Sequence, residues 1–79
     1  MYCYVYKSLH FDNWIVAFNG PEDKMNKEIY NWCVQSFGEP RNARAGYNPD
    51  SGRWLNSINY GEVQFRDEAD AAWFVLRWA

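Results

Sequence analysis

Tyr60-Gly61-Glu62-Val63-Gln64-Phe65-Arg66-Asp67-Glu68-Ala69-Asp70-Ala71-Ala72-Trp73-Phe74-Val75-Leu76-Arg77-Trp78 carries two periodicities in one unbroken run. Between Glu62 and Arg66 polar and apolar side chains alternate. This places Glu62, Gln64 and Arg66 on one side of an extended strand and Val63 and Phe65 on the other. Asp67 then has the chemistry of a helix N-cap, with Asp70 at capping-box spacing, and Arg77 suits the negative end of a helix dipole. A half-wet strand that runs directly into a helix implies a sheet layer packed on a helix layer.

Working back toward the N-terminus, the same two periods recur. Tyr2, Tyr4 and Tyr6 alternate with Cys3, Val5 and Lys7, and Trp14, Val16 and Phe18 alternate with Ile15 and Ala17, which predicts two strands. Asp12-Asn13 tolerates left-handed backbone and predicts a tight hairpin turn between them. Gly20-Pro21 at the start and Gly38 followed by Pro40 at the end predict a helix over residues 21–37. Its core face is Met25, Ile29, Trp32, Cys33 and Ser36, and Lys24, Lys27, Glu28, Asn31 and Gln35 lie opposite. From 39 to 59 periodicity fades. Asn48-Pro49-Asp50-Ser51-Gly52 reads as a turn, with short extended pieces at 43–47 and 53–55 able to pair across it. The order strand, strand, helix, weak strand or loop, strand, helix predicts an α+β two-layer sandwich. An antiparallel sheet of three to four strands carries both helices on one face, as two ββα units in tandem, in a single domain spanning residues 1–79.

Composition sets the class. The chain has 79 residues with five Trp, six Tyr and five Phe, enough large side chains to build a core without metal or disulfide support. Cys3 and Cys33 sit in apolar patterns away from other ligand residues, which predicts reduced thiols and a cytoplasmic setting. A formal net charge of −2 gives no overall attraction to phosphate backbones or anionic membranes. No apolar run approaches bilayer length and no charged segment precedes an apolar one at the N-terminus, so a soluble, untargeted chain with no membrane partner is expected.

No residue pattern specifies a reaction. Asp67-Glu68-Ala69-Asp70 spells a helicase signature, but no glycine-rich phosphate loop accompanies it, and Asp67 is accounted for as a helix cap. His10 is the single histidine and has no nucleophile or metal-ligand cluster beside it in sequence. The expectation is a non-enzyme with no catalytic residues, metal site or cofactor.

The last helix supplies the candidate surface. At about 100° per residue, Ala69, Ala72, Trp73 and Leu76 form one stripe, expected to pack on the sheet, while Ala71, Phe74, Val75 and Trp78 fill most of the opposite side. Ala71 and Val75 are expected to meet Tyr30, Val34 and Phe37 of the first helix. That leaves Phe74 and Trp78 to expose roughly 300–500 Å² of aromatic area. With Asp70 and Arg77 as a polar rim, these four residues are the predicted protein-binding site. The alternative is burial of the pair inside the monomer, under the chain end or the Arg-rich loop.

A second reading comes from that loop. Arg41, Arg44 and Arg53 interleave with Tyr47 and Trp54, and a sheet displaying Tyr2, Tyr4 and Tyr6 has the ingredients for stacking single-stranded nucleic acid.

The 60–78 run also resembles the closing strand and helix of short tailed-bacteriophage proteins. In these a Phe-Arg-Asp-Glu-x-Asp-Ala start is followed by a Leu-Arg-Trp end. The likeness covers about a quarter of the chain, through Arg66, Asp67, Asp70, Arg77 and Trp78. It implies a phage-encoded accessory protein in the cytoplasm of an infected bacterium, acting by binding a host protein or by homo-oligomerisation. The alternative roles are a single-stranded RNA-binding module and a minor structural component of the virion.

Overall fold

A computed structural model of the chain describes residues 2–9, 12–19, 23–41 and 52–79. The elements run β1 (Cys3–Lys7), β2 (Trp14–Phe18), α1 (Asp23–Phe37), β3 (Trp54–Ser57), β4 (Glu62–Phe65) and α2 (Glu68–Trp78), with one 3₁₀ turn, Ile58–Tyr60, between β3 and β4. All strand pairs are antiparallel, in the order β1-β2-β4-β3. The second strand of each ββα unit is central and the first is at an edge. Exchanging β1 with β3 and β2 with β4 leaves this order unchanged.

Register turns the period-2 patterns into two faces. Lys7, Trp14, Phe65 and Trp54 form one row, and Val5, Val16, Val63 and Asn56 the next. Trp14, Val16, Trp54, Val63 and Phe65 from these rows, with Phe18, pack with both helices in a single cluster, while Val5 stays 40% exposed. On the reverse face Tyr4, Ala17, Glu62 and Ser57 form a row beside Tyr6, Ile15, Gln64 and Leu55. The α+β sandwich with both helices on one face is therefore the fold.

Helix α1 follows its pattern closely. Ile29, Cys33 and Phe37, at i, i+4 and i+8, are buried, and Lys24, Lys27, Glu28, Asn31 and Gln35 are all exposed. Phe37, expected on the flank, is a core residue whose ring lies 5.0 Å from that of Phe65. Gly38 stops the helix in a left-handed conformation (φ 86°), its N–H donating to the Val34 carbonyl at 2.9 Å. The indole N–H of buried Trp54 donates to the Gly38 carbonyl at 2.7 Å, which locks the end of α1 onto β3.

Three local expectations change. The β1–β2 connection is not a tight turn at Asp12-Asn13, because Ser8 N–H bonds the Asn13 carbonyl at 2.9 Å and closes the ladder across residues 8–13. No described non-glycine residue has positive φ. Asp67 occupies the N-cap with extended backbone (φ −106°, ψ 133°), yet its side chain makes no capping bond; its carbonyl accepts from Asp70 and Ala71 N–H at 3.1 and 3.3 Å. The capping box does not form, because the Asp70 carboxylate is held by Arg53. The piece expected at 53–55 is β3; the 43–47 piece and the helix entry at 20–22 lie outside the described residues. Among the described residues, no helix is long and apolar enough to cross a membrane.

Candidate protein-binding surface

The face of α2 that meets the core is the one expected to face outward. Phe74 is fully buried and Trp78 is 8% exposed, with Ala71 buried beside them. Trp73 is 56% and Leu76 78% exposed, and Ala69 and Ala72 are also outside. The helix is rotated by roughly half a turn from the sequence reading. Phe74 packs against the rings of Phe18, Trp32, Phe65 and Trp78 at centroid distances of 6.1, 6.0, 5.9 and 6.4 Å. Contact between the helices runs through Trp32, edge-on to both Phe74 and Trp78, and Tyr30, Val34 and Val75 pack against the same cluster, which includes Ala71.

Apolar area does not decide between the two faces, since each offers two large side chains. Anchoring does. Asp70 is one turn ahead of Phe74 and two ahead of Trp78, on the same stripe, and it is buried. Its Oδ1 accepts from Arg53 Nη2 at 2.7 Å and its Oδ2 from Arg53 Nε at 3.1 Å. The two hydrogen bonds and the charge of Asp70 push the Arg53 pKa up further. The guanidinium also lies 5.4 Å from the centre of the Phe37 ring. A bidentate pair fixes orientation as well as distance, so docking Asp70 onto the β3 side turns Phe74 and Trp78 inward. Asp70 is thus a strut between α2 and the sheet, not a rim residue of an outer surface.

The surface that remains is built from residues assigned to the core. Trp32 on α1 and Trp73, Leu76 and Arg77 on α2 line a groove of about 230 Å³. The Arg77 guanidinium carbon sits 4.2 Å from the centroid of the Trp78 ring while the side chain stays exposed, so Arg77 borders this groove and not the Phe74–Trp78 surface it was expected to rim. The groove is smaller than the roughly 300–1,000 Å³ common for small-molecule sites, a size that suits one inserted apolar side chain. A larger open depression of about 480 Å³, between α1 and the 3₁₀ turn, is lined by the amides of Asn26, Asn31, Asn56 and Asn59 and by Tyr30.

Of the residues proposed for nucleic-acid contact, the described ones, Arg41, Arg53 and Trp54, do not assemble into a surface. Trp54 is in the core. Arg41 is buried, its Nη2 donating to Asn13 Oδ1 at 3.4 Å, and Arg53 is committed to Asp70. Arg44 and Tyr47 lie outside the described residues. Tyr2, Tyr4 and Tyr6 are exposed, and Tyr4 stacks on Tyr6 at 6.0 Å and 25°. The Tyr6 hydroxyl donates to Glu62 Oε2 at 3.2 Å, and desolvation, reinforced by the Glu62 charge, pushes the Tyr6 pKa up. A carboxylate in the middle of this face opposes phosphate.

Both thiols are free, and burial pushes Cys33 up to about 12 and raises Cys3. Among the described residues, no group of three His, Cys, Asp or Glu side chains is placed to hold a metal ion; His10 lies outside them. In comparisons with protein-family models, curated proteins and solved structures, nothing matches the chain.

Proposed function

We propose that the chain is a non-enzymatic protein-binding module that docks its partner in the groove between α1 and α2. The observation that carries this reading is the exposure of Trp73 and Leu76, at 56% and 78%, in the lining of a recess they share with Trp32. Two large apolar side chains one helical turn apart are costly to leave in water, and tryptophan beside arginine is the usual composition of a binding hot spot. The partner supplies an apolar side chain to fill the recess and a carboxylate beside it to meet Arg77, in the manner of an amphipathic helix laid in a groove. In the phage setting that the 60–78 run implies, that partner is a host protein, and binding acts by occluding its surface.

The test uses a partner captured by the wild-type chain, purified, and titrated against variants. Trp73→Ala should weaken binding by about 30-fold or more, the effect of losing about 2 kcal/mol at a hot spot. Arg77→Ala should weaken it less and reduce its salt dependence. Unchanged affinity in Trp73→Ala would refute the groove as the docking site.

A further inference from the structure

The two edges of the sheet are finished differently. At β3 the Trp54 carbonyl accepts the N–H of Arg41 at 2.9 Å, so the chain covers part of that edge. Along β1 no comparable bond is made among the described residues. The bonds Ser8 N–H to Asn13 O at 2.9 Å and Asn19 N–H to Tyr2 O at 3.4 Å fix the ladder phase, so that Tyr2, Tyr4, Tyr6 and Ser8 turn their backbone groups toward β2. Cys3, Val5 and Lys7 therefore turn theirs outward. Edge strands are commonly guarded by a projecting charge. Lys7 is the one charge on this strand, and it bends back onto its own hairpin, its Nζ 3.4 Å from Asp12 and 5.6 Å from the centre of the Trp14 ring.

We infer that β1 pairs with β1 of a second copy of this chain, antiparallel about a twofold axis at Val5, to join two four-stranded sheets into one of eight strands. The outward groups are spaced symmetrically about Val5. This register sets Val5 opposite the partner's Val5 and Cys3 opposite the partner's Lys7, and every outward N–H and carbonyl of the strand finds a counterpart. Tyr4 then faces the partner's Tyr6 at a site without hydrogen bonds, where antiparallel side chains come closest and aromatic pairs stabilise most. With the axis normal to the sheet, both tyrosine rows share one side and both helical layers the other.

Tyr2, Tyr4 and Tyr6 are 67%, 53% and 41% exposed, which leaves roughly 250–400 Å² of tyrosine surface on each copy. Pairing covers the flanks of these rings that face the partner, and with Val5 and the backbone edge it makes an interface of the small, weakly associating class. A net charge of −2 opposes the approach only weakly.

Sedimentation equilibrium of the purified chain across a wide concentration range tests this. The expected result is a rise from the 9.4 kDa monomer toward twice that mass. Val5→Pro deletes an outward N–H that the monomer's own ladder does not use, so the fold should survive by circular dichroism while the dimer is lost. Val5→Lys, which sets like charges face to face on the axis, should lose it too and replaces the proline variant if that one does not fold. Trp73→Ala, on the helical layer, should dimerise like wild type. A wild-type chain that stays monomeric at millimolar concentration overturns the inference, and so does a dimer that persists in folded Val5→Pro or Val5→Lys.

Discussion

Replacing Phe74 and Trp73 by alanine, one at a time, tests which way α2 faces. Phe74 has no exposed surface and touches four other aromatic rings, so Phe74→Ala removes a core ring and leaves a cavity that rigid neighbours cannot fully close. Such truncations cost about 3–5 kcal/mol. A domain of 79 residues has a total stability of roughly 4–12 kcal/mol, so the variant sits near or below its folding threshold. Trp73 is more than half exposed, and alanine is the better helix former, so Trp73→Ala should change stability by less than about 0.5 kcal/mol. Urea unfolding followed by far-ultraviolet circular dichroism separates the two. With a slope of about 1 kcal/mol/M, Phe74→Ala should lower the midpoint by about 3 M or arrive unfolded, and Trp73→Ala should leave it nearly unchanged. Phe74→Leu, which keeps most of the volume, should lose about 1.5 kcal/mol or less. The opposite ranking, with Trp73→Ala strongly destabilised and Phe74→Ala stable, would refute the orientation of α2 and with it the groove.

Two further perturbations probe the supports of that orientation. Asp70→Asn keeps the shape of the strut and removes its charge, and should cost about 1–3 kcal/mol in urea unfolding, whereas Glu68→Gln, at an exposed position on the same turn, should cost less than about 0.5 kcal/mol. Because burial raises Cys33 from 9.0 to about 12, the folded state holds that proton more tightly than the unfolded chain. Stability from this group is complete below pH 9 and falls as pH rises toward 12, by about 1.4 kcal/mol per unit. Cys33→Ala should remove that part of the alkaline slope, read as the difference between wild-type and variant urea curves at pH 8 and 10.

Much of the architecture is legible in the sequence because it rests on local signals. Strand alternation at Val63 and Phe65, the five polar positions of α1 and the stop at Gly38 all act within a few residues, and all appear in the fold as read. The face of α2 is not legible in the same way, since apolar residues on both sides satisfy the helical period equally well. What breaks the degeneracy is the bond from Asp70 to Arg53, 17 residues away in sequence. One local cue points toward it. Asp70, Phe74 and Trp78 follow at i, i+4 and i+8, and a carboxylate in line with two rings marks either a wet stripe or a buried charge with a partner. The pairing was absent from the sequence pattern because the partner, Arg53, precedes β3 and reads there as one of several loop arginines. Tyr2, Tyr4 and Tyr6 were legible as one face of a strand, but that β1 is an edge, with Lys7 turned away, follows only from strand order.

The groove lies in the helical layer and the β1 edge at the side of the sheet, and their geometry makes them complementary rather than competing. An axis normal to the sheet places two grooves on the same side of an eight-stranded sheet, so the dimer presents two docking sites facing one way. A partner that is itself dimeric or fixed on a surface is then held at both sites, and the second contact forms at an effective concentration in the millimolar range instead of that of the bulk solution. The dimer need not be tight for this to matter, since two contacts reinforce each other through a shared sheet. Consequently Val5→Pro should bind a monomeric partner in solution as well as wild type does, but dissociate from a densely immobilised one at least tenfold faster. Equal dissociation of the two proteins from that surface would show that pairing through β1 contributes nothing to docking.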